Sequence, residues 1–110
     1  MRIKEKFGEF RVRRKEAKRI KRESSFIVGE LKKSVWKLNA DRKALEAQKR
    51  EQEKEKFRAK TVSERNFWGE KIKETDFKLA VINKELVQVK SIIGNTKEVR
   101  DEWLAKVKRE

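Results

Sequence analysis

The sequence predicts an all-α fold: an elongated antiparallel helical hairpin of coiled-coil type, with a basic N-terminal arm. Three observations carry this. Proline is absent and glycine occurs only four times in 110 residues, so little obliges the chain to turn. Charged residues make up 47% and the hydrophobic set 35%, too little to enclose a globule on every side but enough to line one seam of long helices. Over residues 68 to 107, seam-compatible residues recur in alternating steps of four and three. One sub-register reads Trp68, Thr75, Ile82, Val89, Thr96, Trp103, and the other Ile72, Leu79, Leu86, Ile93, Arg100, Val107. A seven-residue repeat places a narrow stripe on one helix face, and another helix is what satisfies such a stripe.

Residues 1 to 23 form the arm, expected as a helix or as disordered chain. They hold eleven Lys or Arg and four Glu. Ile3, Phe7, Phe10, Arg14, Ala17, Lys21, Ser24 and Val28 would carry a four-three rhythm into the next segment, although Gly8 weakens a helix there by about 1 kcal/mol.

Residues 24 to 110 form the hairpin. Its first helix is expected over 24–59, either capped by Ser24 or Ser25 or continuing from the arm, with a seam of Val28, Leu31, Val35, Leu38, Arg42, Leu45, Lys49 and Gln52. That seam does not run in phase into the one beginning at Trp68 and Ile72. The shift is two residues, which neither a stutter of four nor a stammer of three explains. At the break stands Thr61-Val-Ser-Glu64, a capping box whose hydroxyl and carboxylate satisfy free amides at a helix start. A turn near 60–62 and a second helix over 62–108 follow, with a possible kink at Gly94-Asn95. Folding back there pairs residues whose numbers sum to roughly 122, with helical geometry setting the level. Leu86 then faces Val35, Ile93 faces Val28, and Ile72 and Leu79 face the stems of Lys49 and Arg42, which can cover apolar surface.

Several functional classes are disfavoured. With no Cys and no His, disulfides, thiolate or imidazole metal sites and imidazole catalysis are absent. No apolar run approaches the roughly 18 residues of a membrane span. The N-terminus lacks the apolar core of a secretory signal and is too rich in Glu for a transit peptide. An intracellular protein, cytoplasmic or of an organellar matrix, is expected. No phosphate-binding glycine loop or nucleophile–base pair occurs, so no enzyme activity and no cofactor is expected.

The functional signal is charge. Lys and Arg number 33 against 19 Asp and Glu, a net of +14. The densest run is Arg11, Arg13, Arg14, Lys15, Lys18, Arg19, Lys21 and Arg22, the candidate nucleic-acid-binding residues. On a helix Arg11, Lys15, Lys18 and Arg22 share a face, and such residues bind phosphate by releasing its counterions. Val28, Leu31, Val35, Trp36, Leu38, Trp68, Ile72, Leu79, Ile82, Leu86, Val89, Ile93 and Trp103 are the candidate helix-packing or partner-interface residues. Among them Trp36 lies beside the seam and could anchor a partner. Leu31, Leu38 and Leu45 follow a basic stretch as in a basic-region leucine zipper, but Arg13 stands where that family has asparagine, which excludes the match.

The expected function is structural: a small basic subunit of a ribonucleoprotein or nucleoprotein assembly of ribosome-like kind. The arm would bind nucleic acid, RNA ahead of DNA, and the hairpin would bind protein neighbours. The alternative is a coiled-coil assembly factor or scaffold, including a viral one, that self-associates through the seam of the second helix.

Overall fold

A computed structural model describes the backbone of residues 2–109 and the side chains of 12–108. It contains two helices, α1 (Arg2–Arg58) and α2 (Val62–Arg109), folded as a helical hairpin, with no strand among the described residues. The arm is helical. α1 passes through Ser24 and Ser25 without interruption, so neither serine begins an element. α2 likewise runs through Gly94 and Asn95. The residues on either side, Ile93 and Thr96, both stay half-buried on one stripe.

The turn forms where the capping box stands. The Glu64 amide donates to Thr61 Oγ1 at 3.2 Å, and the Lys60 amide donates to Glu64 Oε2 at 3.3 Å. The first backbone bond of α2 runs from the Arg65 amide to the Thr61 carbonyl at 3.1 Å. The Thr61 hydroxyl thus occupies an amide that a helix start otherwise leaves free, and the Glu64 carboxylate ties down the residue before the cap. Among the described residues no backbone adopts positive φ, in keeping with a turn that contains no glycine.

By Cα clustering the chain divides into two units: residues 34–89, which include the turn, and residues 1–33 with 90–110. In the first of these units α1 and α2 lie antiparallel. Lys49 Nζ meets Asp76 Oδ1 at 2.7 Å, and Thr75 Oγ1 meets Gln52 Oε1 at 2.8 Å. The partners' numbers therefore sum to 125 and 127, three to five more than the expected register of roughly 122. Asp76, not Ile72, lies against Lys49, while Ile72 shares a groove with Glu53 and Lys56. By the same register Leu86 comes level with the Leu38–Arg42 turn, not with Val35. The cause is the linker. Residues 59–61 lie between the helices, and this register sets Val62 level with positions five to seven residues past Arg58, about 7 to 11 Å beyond the end of α1 at 1.5 Å per residue. Its first turn, Val62 to Arg65, is accordingly exposed.

The seam in this unit is the one the sequence spells out. Val35, Leu38, Arg42, Leu45 and Lys49 are half-buried and Gln52 is buried, continuing to Ala59 at 9% exposure. On α2 the covered positions are Trp68, Ile72, Thr75, Leu79, Ile82, Leu86 and Val89, with Thr75 and Leu86 each 3% exposed.

In the other unit the stripe changes period. Its covered positions on α1 include Arg13, Ala17, Ile20, Ser24, Val28 and Leu31. Arg14 and Lys21, expected in the seam, are exposed, and Arg13 and Ile20 take their places. On α2 the stripe runs Ile93, Thr96, Arg100, Leu104, Val107, so that Leu104 replaces Trp103. Each helix here takes two four-residue steps in succession, Ile20-Ser24-Val28 and Thr96-Arg100-Leu104. The spacing becomes eleven residues, 3.67 per turn, close to the 3.6 of a straight α-helix. Apolar Ile20 and Leu104 thereby enter the seam, where strict sevens would place Lys21 and Trp103.

The resulting core is thin. Among the described residues Val28, Ala59, Leu86 and Val107 are the buried hydrophobic ones, and no side chain is below 2% exposure. The accessible surface is 9483 Å², against about 6,400 Å² for a compact domain of this mass.

Candidate nucleic-acid interface

The unit of residues 1–33 and 90–110 holds 19 Lys and Arg against 9 Asp and Glu, ten of the chain's fourteen net positive charges. Most of that excess comes from the first turns of α1. Arg14, Lys15, Lys18, Arg19, Lys21 and Arg22 are exposed, and Arg13 is half-buried in the seam. Arg11 has its side chain outside the described residues. Among the described residues only Arg19 of this group is ion-paired, to Glu23 at 4.0 Å with both side chains about two-thirds exposed. Such a pair is worth little and yields readily to a phosphate. The i, i+3, i+7 spacing of Lys15, Lys18 and Arg22 sets three cations on one face of the helix, about 4.5 and 6 Å apart along its axis.

The predicted packing residues are mostly where a seam requires them. Val28 and Leu86 are buried; Leu31, Val35, Leu38, Trp68, Ile72, Leu79, Ile82, Val89 and Ile93 are half-buried. Two tryptophans stand apart. Trp36 is 81% exposed and Trp103 is 52% exposed, so neither ring belongs to the core. Lys106 Nζ sits 5.7 Å from the centre of the Trp103 ring. In the unit of residues 34–89, Phe67 packs edge-on to Trp68 at 5.2 Å and carries Lys71 over its face at 5.6 Å. Sequence reasoning did not single out Phe26, which is exposed beyond two-thirds among Arg19, Arg22 and Lys33 on the outer side of α1. The signal for it was its distance from the seam positions Ser24 and Val28.

Each unit also carries an open apolar groove beside its seam. In the unit of residues 34–89 it is lined by Ala44, Leu45, Phe77, Val81 and Ile82. In the other it is lined by Ile20, Ile27, Ile92, Val99 and Trp103, with a volume of about 360 Å³. Hydrophobic side chains gathered in such grooves are more informative than single exposed ones.

Among the described residues no group of three or more acidic side chains could hold a metal ion, and no described helix is long and apolar enough to cross a membrane. Set against protein-family models, curated proteins and solved structures, the chain matches none.

Proposed function

We propose that this protein is a structural, nucleic-acid-associated subunit, a small basic component of a ribonucleoprotein or other nucleoprotein assembly. The first turns of α1 neutralise phosphate and the hairpin packs on protein neighbours. The observation that carries the reading is the set of exposed cations from Arg14 to Arg22 on a helix that continues without a break into the packed part of α1. A helix already formed loses little conformational entropy on binding, and each cation it presents releases counterions from a phosphate. RNA is placed ahead of DNA by analogy with the basic helical subunits of ribosome-like assemblies.

The alternative, a scaffold that self-associates through the seam of α2, has less support. Thr75 and Leu86 on that seam are already covered within their own unit. The test is binding of a generic RNA by the full chain and by a variant with Arg14, Lys15, Lys18, Arg19, Lys21 and Arg22 changed to Gln. Loss of binding with helical content retained supports the reading. Unchanged binding refutes it.

A further inference from the structure

We infer, resting on the nucleic-acid reading, that Trp36 is a stacking platform for an unpaired base, a contact that single-stranded nucleic acid can make and a duplex cannot. Trp36 belongs to the unit of residues 34–89 and is 81% exposed. Among the described residues the aromatic contacts fall at Phe67 with Trp68, at Phe67 with Lys71 and at Trp103 with Lys106. No ring and no ammonium of the described residues covers the Trp36 indole.

The surroundings of the ring are small or basic. Val35 and Leu38 are half-buried in the seam, while Lys37, Ala40 and Lys43 are exposed. At about 100° per residue, Ala40, Lys43, Ala47 and Arg50 fall within roughly 40° of Trp36 around α1, and no acid of residues 34–58 does. In the sequence, residues 31–40 hold Lys32, Lys33 and Lys37 and no acid. The ion pairs nearby engage Arg42, Lys49 and Lys54. Lys37, Lys43 and Arg50 have no partner among the described residues.

These neighbours select the occupant. A tryptophan that anchors a protein partner is ringed by contacts that shut out water, and the exposed neighbours of Trp36 are lysine and alanine instead. One open ring on an acid-free cationic strip matches a nucleic-acid strand: the ring takes the face of a base, and the cations draw the backbone alongside. Bases within a duplex are covered by their neighbours, so only an unpaired base offers its face. Stacking adds to phosphate binding by the first turns of α1 and does not replace it. A ring releases no counterions, so it changes affinity and leaves the salt slope alone.

The experiment titrates the full chain with an unpaired RNA strand, with an abasic strand of equal length and phosphate number, and with duplex RNA. The unpaired strand should quench tryptophan emission more strongly than the abasic one. Trp36→Leu keeps apolar bulk but has no π face. It should weaken binding of the unpaired strand at least about fivefold, leave the abasic strand and the duplex unchanged, and preserve helical content and salt slope. Trp36→Phe should retain most of the affinity. If Trp36→Leu binds the unpaired strand as the native chain does, while the six-cation Gln variant loses it, the stacking role is overturned and the phosphate reading stands. A Leu variant that weakens all three ligands alike also overturns the stacking role. A native chain that binds no RNA, or only an acidic protein or anionic vesicles, overturns both.

Discussion

Thr75 Oγ1 donates to Gln52 Oε1 at 2.8 Å, a polar pair buried in the seam between α1 and α2. The same hydroxyl has the Lys71 carbonyl at 3.1 Å as a second acceptor, and its single hydrogen is divided between them. A buried polar pair in an apolar seam fixes register at some cost in stability, because sliding either helix strands both groups. Thr75→Val, which leaves the Gln52 amide buried without its partner, should destabilise the hairpin by about 1–2 kcal/mol in urea unfolding. Gln52→Leu combined with Thr75→Val should recover most of that loss. Cross-links between the helices should then report more than one register.

Arg42 occupies a seam position between Leu38 and Leu45, and its buried Nε has no hydrogen-bond partner. The carboxylate of Glu46 stands 3.9 Å from that nitrogen, an ion pair too long for a hydrogen bond. Arg42→Leu fills the same stripe without a polar atom to satisfy. It should raise stability by about 1 kcal/mol, seen as a higher denaturant midpoint with an unchanged slope.

The pair of Lys49 and Asp76 is the one ion pair between the two helices among the described residues. Its hydrogen bond to Asp76 raises the Lys49 pKa above the ordinary 10.5. A raised ammonium pKa means a contribution that is complete below the unfolded value and disappears as pH climbs through the folded one. Unfolding followed from pH 7 to above 11 should therefore show the wild type losing more stability in the alkaline range than Lys49→Met does. Equal losses would show that the bond does not form in solution.

Thr61 closes the turn through its hydroxyl on the Glu64 amide. Thr61→Ala should cost about 1 kcal/mol, and Thr61→Ser much less. Because the linker has neither Gly nor Pro, this cap is the main local signal for reversal, and thermal melts of the two variants compare its weight directly.

Much of this molecule is legible in its sequence because a seven-residue stripe is a physical demand for a second helix. The seam from Val28 to Gln52, the capping box and the seam from Trp68 to Arg100 all follow from spacing alone. The level at which the helices meet does not. It depends on the path residues 59–61 take between the helices, which three linker residues cannot declare. Nor does strict periodicity foresee the two successive four-residue steps that admit Ile20 and Leu104 and release Arg14, Lys21 and Trp103. Those steps are a choice between neighbouring side chains, settled by which one gains more from burial. Continuity of α1 through Ser24 was one of two readings the sequence allowed, because serine begins a helix or sits within one according to what the preceding turn does. For the candidate interface, the sequence marks the cations, while their exposure and weak pairing come from the fold.

The most direct measurement of the central claim is the salt dependence of binding to a generic single-stranded RNA. The slope of log K against log salt counts the phosphates neutralised, at about −0.7 per phosphate for single strands. If Arg14, Lys15, Lys18, Arg19, Lys21 and Arg22 carry the contact, the slope should be about −4. It should shrink toward zero when those six are changed to Gln. A slope near zero in the native chain, or one that the substitutions leave unchanged, would contradict the account.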